Sequence, residues 1–99
     1  MTRRLILLPA AEADLSAIWD YTAERWSLKQ AQTYASGVTH LLNLLCDQPE
    51  IAPLLGKLKQ PVRVYRFRSH LVIFTADDLL LEVIRVVHGR SNWVGLLAD

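Results

Sequence analysis

The side chains best suited to chemistry in this 99-residue chain are Arg63, Arg66, Arg68, His70, Arg85, His88 and Arg90. Together they could act on a phosphodiester. That reaction needs a base for a 2′-hydroxyl, an acid for the leaving oxygen and cations on the phosphate. His88 and Arg90 are two positions apart, so on a strand that extends that far they share a face. A histidine at a strand end more often satisfies a backbone carbonyl or closes a sheet edge, and on this reading neither His70 nor His88 is catalytic. Metal binding has little support, because His40, His70 and His88 are far apart in sequence and Cys46 has no second cysteine. Gly37, Gly56, Gly89 and Gly95 are scattered, so there is no glycine-rich phosphate loop. The expectation is no catalytic residue, no metal and no cofactor. Cys46 reads as a small packed hydrophobe and His40 as solvent-facing.

Composition places these residues in one small domain spanning residues 1–99. Apolar residues make up 52% and charged ones 21%, enough apolar material for a core. Residues 1–56 carry a net −2 and residues 57–99 a net +3. The basic half fits a negatively charged partner, nucleic acid or an acidic protein surface, or else ordinary surface charge. No run approaches the roughly 18 apolar residues of a membrane span, and the apolar stretch before Pro9 is too short for a signal peptide. A lone cysteine excludes an internal disulfide and fits a reducing compartment. A cytoplasmic protein without membrane contact is expected.

Periodicity predicts the elements that must position the basic residues. Leu5–Leu8 is a short apolar run stopped by Pro9 and reads as a strand. From Ala11 to Trp26, Leu15, Ile18, Trp19, Thr22 and Trp26 form one stripe of a helix. Ser27-x-x-Gln30 is a capping-box pattern that starts a second helix, with Ala31, Tyr34, Val38, Leu41, Leu42 and Leu45 as its stripe. That helix ends near Asp47–Gln48, before Pro49. Gly37 lies in its middle and predicts close approach of another backbone. After a loop-like Pro49–Pro61 segment, three strands are expected at 62–68, 70–76 and 79–88, joined by hairpins at Ser69 and Asp77-Asp78. The order is β-α-α-β-β-β, an α+β domain in which an antiparallel sheet packs on an N-terminal two-helix hairpin.

Leu71-Val72-Ile73-Phe74, Leu79-Leu80-Leu81 and Val83 to Val87 are too continuously apolar for a sheet with one face in water. Side chains alternate faces along a strand, so both faces carry apolar residues, and one hairpin covers only one of them. Either a tightly bound protein partner covers the other face, or the tail (Trp93, Val94, Leu96, Leu97) folds over it.

These residues also carry a resemblance. Asp14, Leu15, Ile18, Trp19 and Tyr21, then Trp26, Gln30-Ala31 and Tyr34, are followed by the Arg63 strand, Ser69 to Phe74, and Val83-Ile84-Arg85-Val86-Val87-His88-x-Arg90. In order and spacing the chain resembles the ParE branch of the RelE/ParE superfamily over nearly its whole length. The resemblance implies a type II toxin that stabilises a plasmid or chromosome, inhibits DNA gyrase and is neutralised by a ParD-like antitoxin. DNA would be met only indirectly, through antitoxin or gyrase. The RelE branch, on the same fold, is a ribosome-dependent mRNA endonuclease and supplies the alternative. Against that alternative, Asn92-Trp93-Val94-Gly95 stands where that branch has a tyrosine, and its lysine pair is only loosely echoed by Lys57 and Lys59.

On the leading reading the chain is a protein inhibitor, not an enzyme. Arg85, His88, Arg90 and Trp93 are the candidate target-binding residues, with Trp93 either an aromatic anchor or buried against the helical hairpin. Arg63, Arg66, Arg68, Val72 and Phe74 are the candidate antitoxin-binding residues. Arg66 and Arg68, read as sharing a strand face, either meet acidic antitoxin side chains or defend an exposed edge.

Overall fold

The computed structural model describes residues 2–56 and 60–97. Strand β1 (Arg4–Leu7) ends where Pro9 opens helix α1 (Pro9–Arg25), a position at which proline's missing N–H costs no hydrogen bond. Only Trp26 and Ser27 separate α1 from α2 (Leu28–Asp47), so the helices form a hairpin. The Ser27 hydroxyl caps α2 by accepting the Gln30 N–H at 2.9 Å, as its sequence pattern predicts. The buried residues of α2 are Ala31, Val38, Leu41, Leu42, Leu45 and Cys46, the foreseen stripe with Tyr34 half-buried at its edge.

A single 3-10 turn (Pro49–Ile51) leads to β2 (Leu54–Leu55), a two-residue strand inside the segment read as a loop. Then follow β3 (Val62–Phe67), β4 (His70–Ala76), β5 (Leu80–His88) and the short helix α3 (Trp93–Leu97). The strand order is β1-β5-β4-β3-β2. The class is α+β with the expected succession of elements, but the sheet is mixed, because β1 runs parallel to β5. No hairpin links those two strands, so nothing forces them antiparallel. The pairs β2–β3, β3–β4 and β4–β5 are all antiparallel. No helix of the described residues is long and apolar enough to cross a membrane.

Both faces of the sheet carry packed apolar residues, as the continuous runs predict. Ile73 pairs with Arg85 but Phe74 pairs with Val83, so Ile84 is an extra residue in β5. Such a bulge switches which side chains face which side. Leu81 and Val83 join the helix-side core before it, and Val86 joins that core after it, together with Val72, Phe74 and the α2 stripe. On the far face Val62, Ile73 and Val87 are buried among Val64, Leu71, Ile84 and Trp93. The tail therefore supplies part of that cover, and Trp93 sits on the face away from the helical hairpin. Exposed large apolar side chains include Leu5, Leu54 and Leu55 on both outer strands, Trp26 and Leu28 at the hairpin tip, and Val94 in the tail helix.

Two local expectations are corrected. A Cβ at Gly37 would lie 2.6 Å from the Phe67 ring, so an aromatic side chain of β3, not a backbone, makes the close approach. Trp26 is 71% exposed. It stands at the C-cap of α1, past the last helical residue, and the apolar stripe does not extend to it.

Candidate functional site

Two polar clusters tie the helical hairpin to β5. In the first, the Asp14 carboxylate of α1 accepts from Arg85 Nε at 2.7 Å and Arg85 Nη2 at 2.9 Å. It also accepts from the Val86 backbone N–H at 2.9 Å. Arg85 stands opposite Ile73 just past the bulge, and its guanidinium reaches Asp14 on α1. The hydrogen bonds to Asp14 push the arginine's pKa up, so its charge is fixed.

The second cluster lies at the end of β5. The Tyr34 hydroxyl of α2 is 3.0 Å from His70 Nδ1, at the first residue of β4. His70 is the direct cross-strand partner of His88, and their rings meet edge to face at 5.7 Å between centroids. Phe67 packs edge-on against Tyr34 at 5.2 Å and fixes the other flank. Burial, and then the neighbouring His88, hold the His70 pKa below its usual value. Burial pushes the Tyr34 pKa up to about 12 against the opposing pull of Arg68, so the phenol keeps its proton. The His88 Nδ1 accepts the Arg90 N–H at 3.1 Å, so the neutral ring carries its proton on Nε2.

The cluster opens into a groove of about 560 Å³ between α1, the start of α2 and the β3–β4 turn. Tyr21, Trp26, Tyr34, Arg68, His70 and His88 line it, and no Asp or Glu is among its described lining residues. Arg68 occupies the β3–β4 turn at φ 55°, left-handed geometry that a side chain adopts only at some cost. Its guanidinium sits 5.5 Å from the Phe67 ring centroid. The arrangement can hold an anion and present donors and aromatic faces to it. It is poorly suited to a metal, because His88 Nε2 is already protonated and no three His, Cys, Asp or Glu side chains converge among the described residues. A second groove of about 410 Å³, lined by Leu5, Leu7, Leu15, Trp19, Val38 and Leu42 among others, is predominantly apolar and suits partner side chains more than chemistry.

The structure brings together only part of the predicted set. His88 and Arg90 are exposed, and of the two His88 lines the groove. Arg85 is spent on Asp14, and Trp93 is half-buried on the far face. Arg63 is half-buried and donates to the Ala52 carbonyl at 2.7 Å, while Arg66 is exposed and donates to the Arg68 carbonyl at 3.1 Å. Arg68 lies beyond the end of β3, so the shared strand face read for Arg66 and Arg68 does not exist. Val72 and Phe74, expected to touch an antitoxin, are fully buried beneath the helices and cannot reach one; their even-numbered positions on β4 face the hairpin. His40 is exposed and Cys46 buried, both as read, with burial pushing the Cys46 thiol pKa up. Lys57 and Lys59 lie outside the described residues.

Sequence reasoning missed Tyr34, Tyr21 and Trp26 as groove residues. Tyr34 was hidden in a helical stripe, although a tyrosine on an apolar face needs a polar partner for its hydroxyl.

The family model described as the ParE toxin of the type II toxin-antitoxin system, parDE, matches residues 5–93. The chain belongs to the ParE toxin family. Toxin ParE1 of Mycobacterium tuberculosis (strain H37Rv) is 31% identical over 93 residues, covering 93% of this chain and 95% of that protein. Toxin ParE1 of Caulobacter vibrioides is 32% identical over 82 residues, covering 83% and 84%. A solved structure titled "Chromosomal ParDE TA system from P. aeruginosa" superimposes with a TM-score of 0.74 at 17% identity, covering 88% of this chain and 96% of that one. At that identity the likeness shows the fold alone.

Proposed function

We propose that this chain arrests growth as a toxin by binding DNA gyrase, without catalysing a reaction, and that a ParD-like antitoxin neutralises it in the cytoplasm. The observation that carries the reading is the match to the ParE family along residues 5–93, nearly the whole chain. Of the residues offered as target-binding, His88 and Arg90 are exposed and take the contact role. Arg85 positions β5 against α1, and Trp93 holds α3 on the sheet. Arg66 and Arg68 are exposed cations for acidic antitoxin side chains, and the apolar groove beside Leu5 and Trp19 offers the antitoxin a surface to cover.

The test is expression of the chain with and without its neighbouring antitoxin gene, followed by purified protein in a gyrase supercoiling assay and in translating ribosomes. Growth arrest relieved by the antitoxin, and lost supercoiling with intact mRNA, are expected. Codon-specific mRNA cleavage with normal supercoiling would replace this reading by the endonuclease one. No growth effect would mark a chain that binds its antitoxin but has lost toxicity.

A further inference from the structure

We propose that the groove at the end of β5 binds a nucleotide, its phosphate held by Arg68, His70 and His88 and its base stacked on Trp26 or Tyr21. This inference does not depend on gyrase being the target. It departs from the expectation that nucleic acid is met only through another protein.

Three independent features converge on it. Trp26 and Tyr21 are 71% and 60% exposed, yet both line the same groove as the cationic groups. Flat aromatic faces beside a basic track are what nucleotides use, since every base has a face to stack and every phosphate a charge to pair. Arg68 stands in left-handed backbone geometry where glycine or asparagine would be unstrained. The turn thus keeps an arginine at a cost, on the rim of this groove. Finally, each imidazole spends one nitrogen inside the protein, His70 Nδ1 on Tyr34 and His88 Nδ1 on the Arg90 N–H. One nitrogen of each ring remains for a ligand, and an anion bound beside both rings would relieve the repulsion between their charged forms.

A groove of about 560 Å³ is ample for one nucleotide, within the roughly 300–1,000 Å³ of small-molecule sites. An acidic peptide would satisfy the cations but leave the aromatic faces unused, so the nucleotide is favoured.

The full chain is titrated with adenosine monophosphate, inorganic phosphate, a single-stranded oligothymidylate and a glutamate decapeptide, following the His70 and His88 ring resonances by NMR. Saturable shifts with the monophosphate are expected, with inorganic phosphate at least about tenfold weaker because it lacks a base to stack. Trp26→Ala and Arg68→Gly should each weaken binding on the order of tenfold with the urea midpoint not lowered. Glycine suits the left-handed position, so a loss of binding there is not a loss of folding. Binding of the oligonucleotide more than about tenfold tighter than the monophosphate assigns the site to a strand; equal affinity assigns it to a free nucleotide. The proposal is overturned if no probe moves the two resonances at millimolar concentration. It is also overturned if neither substitution weakens binding, if phosphate alone binds as well as the monophosphate, or if the glutamate peptide binds tighter.

Discussion

Two polar clusters join the helical hairpin to the sheet, one from α1 to Arg85 and one from α2 through His70 to His88, and they behave differently. At Asp14 and Arg85 the hydrogen-bonding capacity is turned inward, with two guanidinium N–H groups and a backbone N–H on one carboxylate. At His70 and His88 each imidazole commits one nitrogen inside the protein, to Tyr34 and to the Arg90 N–H, and keeps the other for the groove. A polar group held by a charged partner in the fold is mainly structural, because a ligand would have to compete with that partner. Spare donors on a rigid frame can be offered to something else. By that criterion Arg85, which in sequence looked equivalent to His88 and Arg90, belongs with the scaffold.

The largest expected effect tests the closed cluster. Asp14→Ala removes the only acceptor shown for Arg85 and strands the Val86 N–H, so it should cost about 2–3 kcal/mol, tempered by the partial exposure of the pair. For a domain of this size that lowers the melting temperature on the order of 10 °C. Asp14→Asn keeps an acceptor for Val86 and should lose less. Urea titration of the three proteins measures the ranking. If Asp14→Ala unfolds at the wild-type midpoint but no longer arrests growth, the clasp is functional and the distinction between the clusters fails.

The two clusters also differed in how much the sequence disclosed. Helix periods, the Ser27 cap and Pro9 made the hairpin legible, because each acts within a few residues of itself. The strands at 62–68, 70–76 and 79–88 were legible to within a residue. Not legible were the bulge at Ile84, which depends on pairing across β4 and β5, and the meeting of Arg85 with Asp14, 71 residues away. The continuous apolar run in β5 serves two faces, as read: Val83 and Val86 pack under the helices, while Ile84 and Val87 lie on the far face, where Trp93 of the tail supplies part of the cover. Tyr34 and His70 are 36 residues apart and meet only through the order of strands in the sheet, which no local pattern states.

Gly37→Ala sharpens the comparison from the packing side. Alanine gains roughly 1 kcal/mol of helix propensity, but its Cβ would press on the Phe67 ring at 2.6 Å, and overpacking costs about 1–3 kcal/mol. A net loss of about 1 kcal/mol is expected. Phe67 rests against Tyr34, so the His70 ring resonances should shift while the Arg85 side-chain resonances stay in place. A stabilised variant with unmoved histidine signals would show that the open cluster is not positioned by that ring.

The smallest effect is pH-dependent and concerns the open cluster alone. Below its ordinary pKa of 6.5, His70 takes up protons less readily in the native chain than in the unfolded one, through burial first and the His88 charge second. Protons therefore favour the unfolded state there. Stability should fall as pH drops below about 6.5 and stop falling once His70 is protonated in the native state too. The other groups facing His70 do not titrate in this range: Tyr34 from α2 holds its proton to about pH 12, and Arg68 from the β3–β4 turn stays charged. His88→Gln removes the neighbouring charge and leaves the burial, so the His70 titration should move part of the way back up and the acid loss should shrink without vanishing. Urea midpoints at pH 7.5 and 5.5, with an NMR titration of His70, measure both. An unchanged acid loss in His88→Gln would mean that the two rings do not sense each other's charge, leaving His88 to act on a ligand independently of His70.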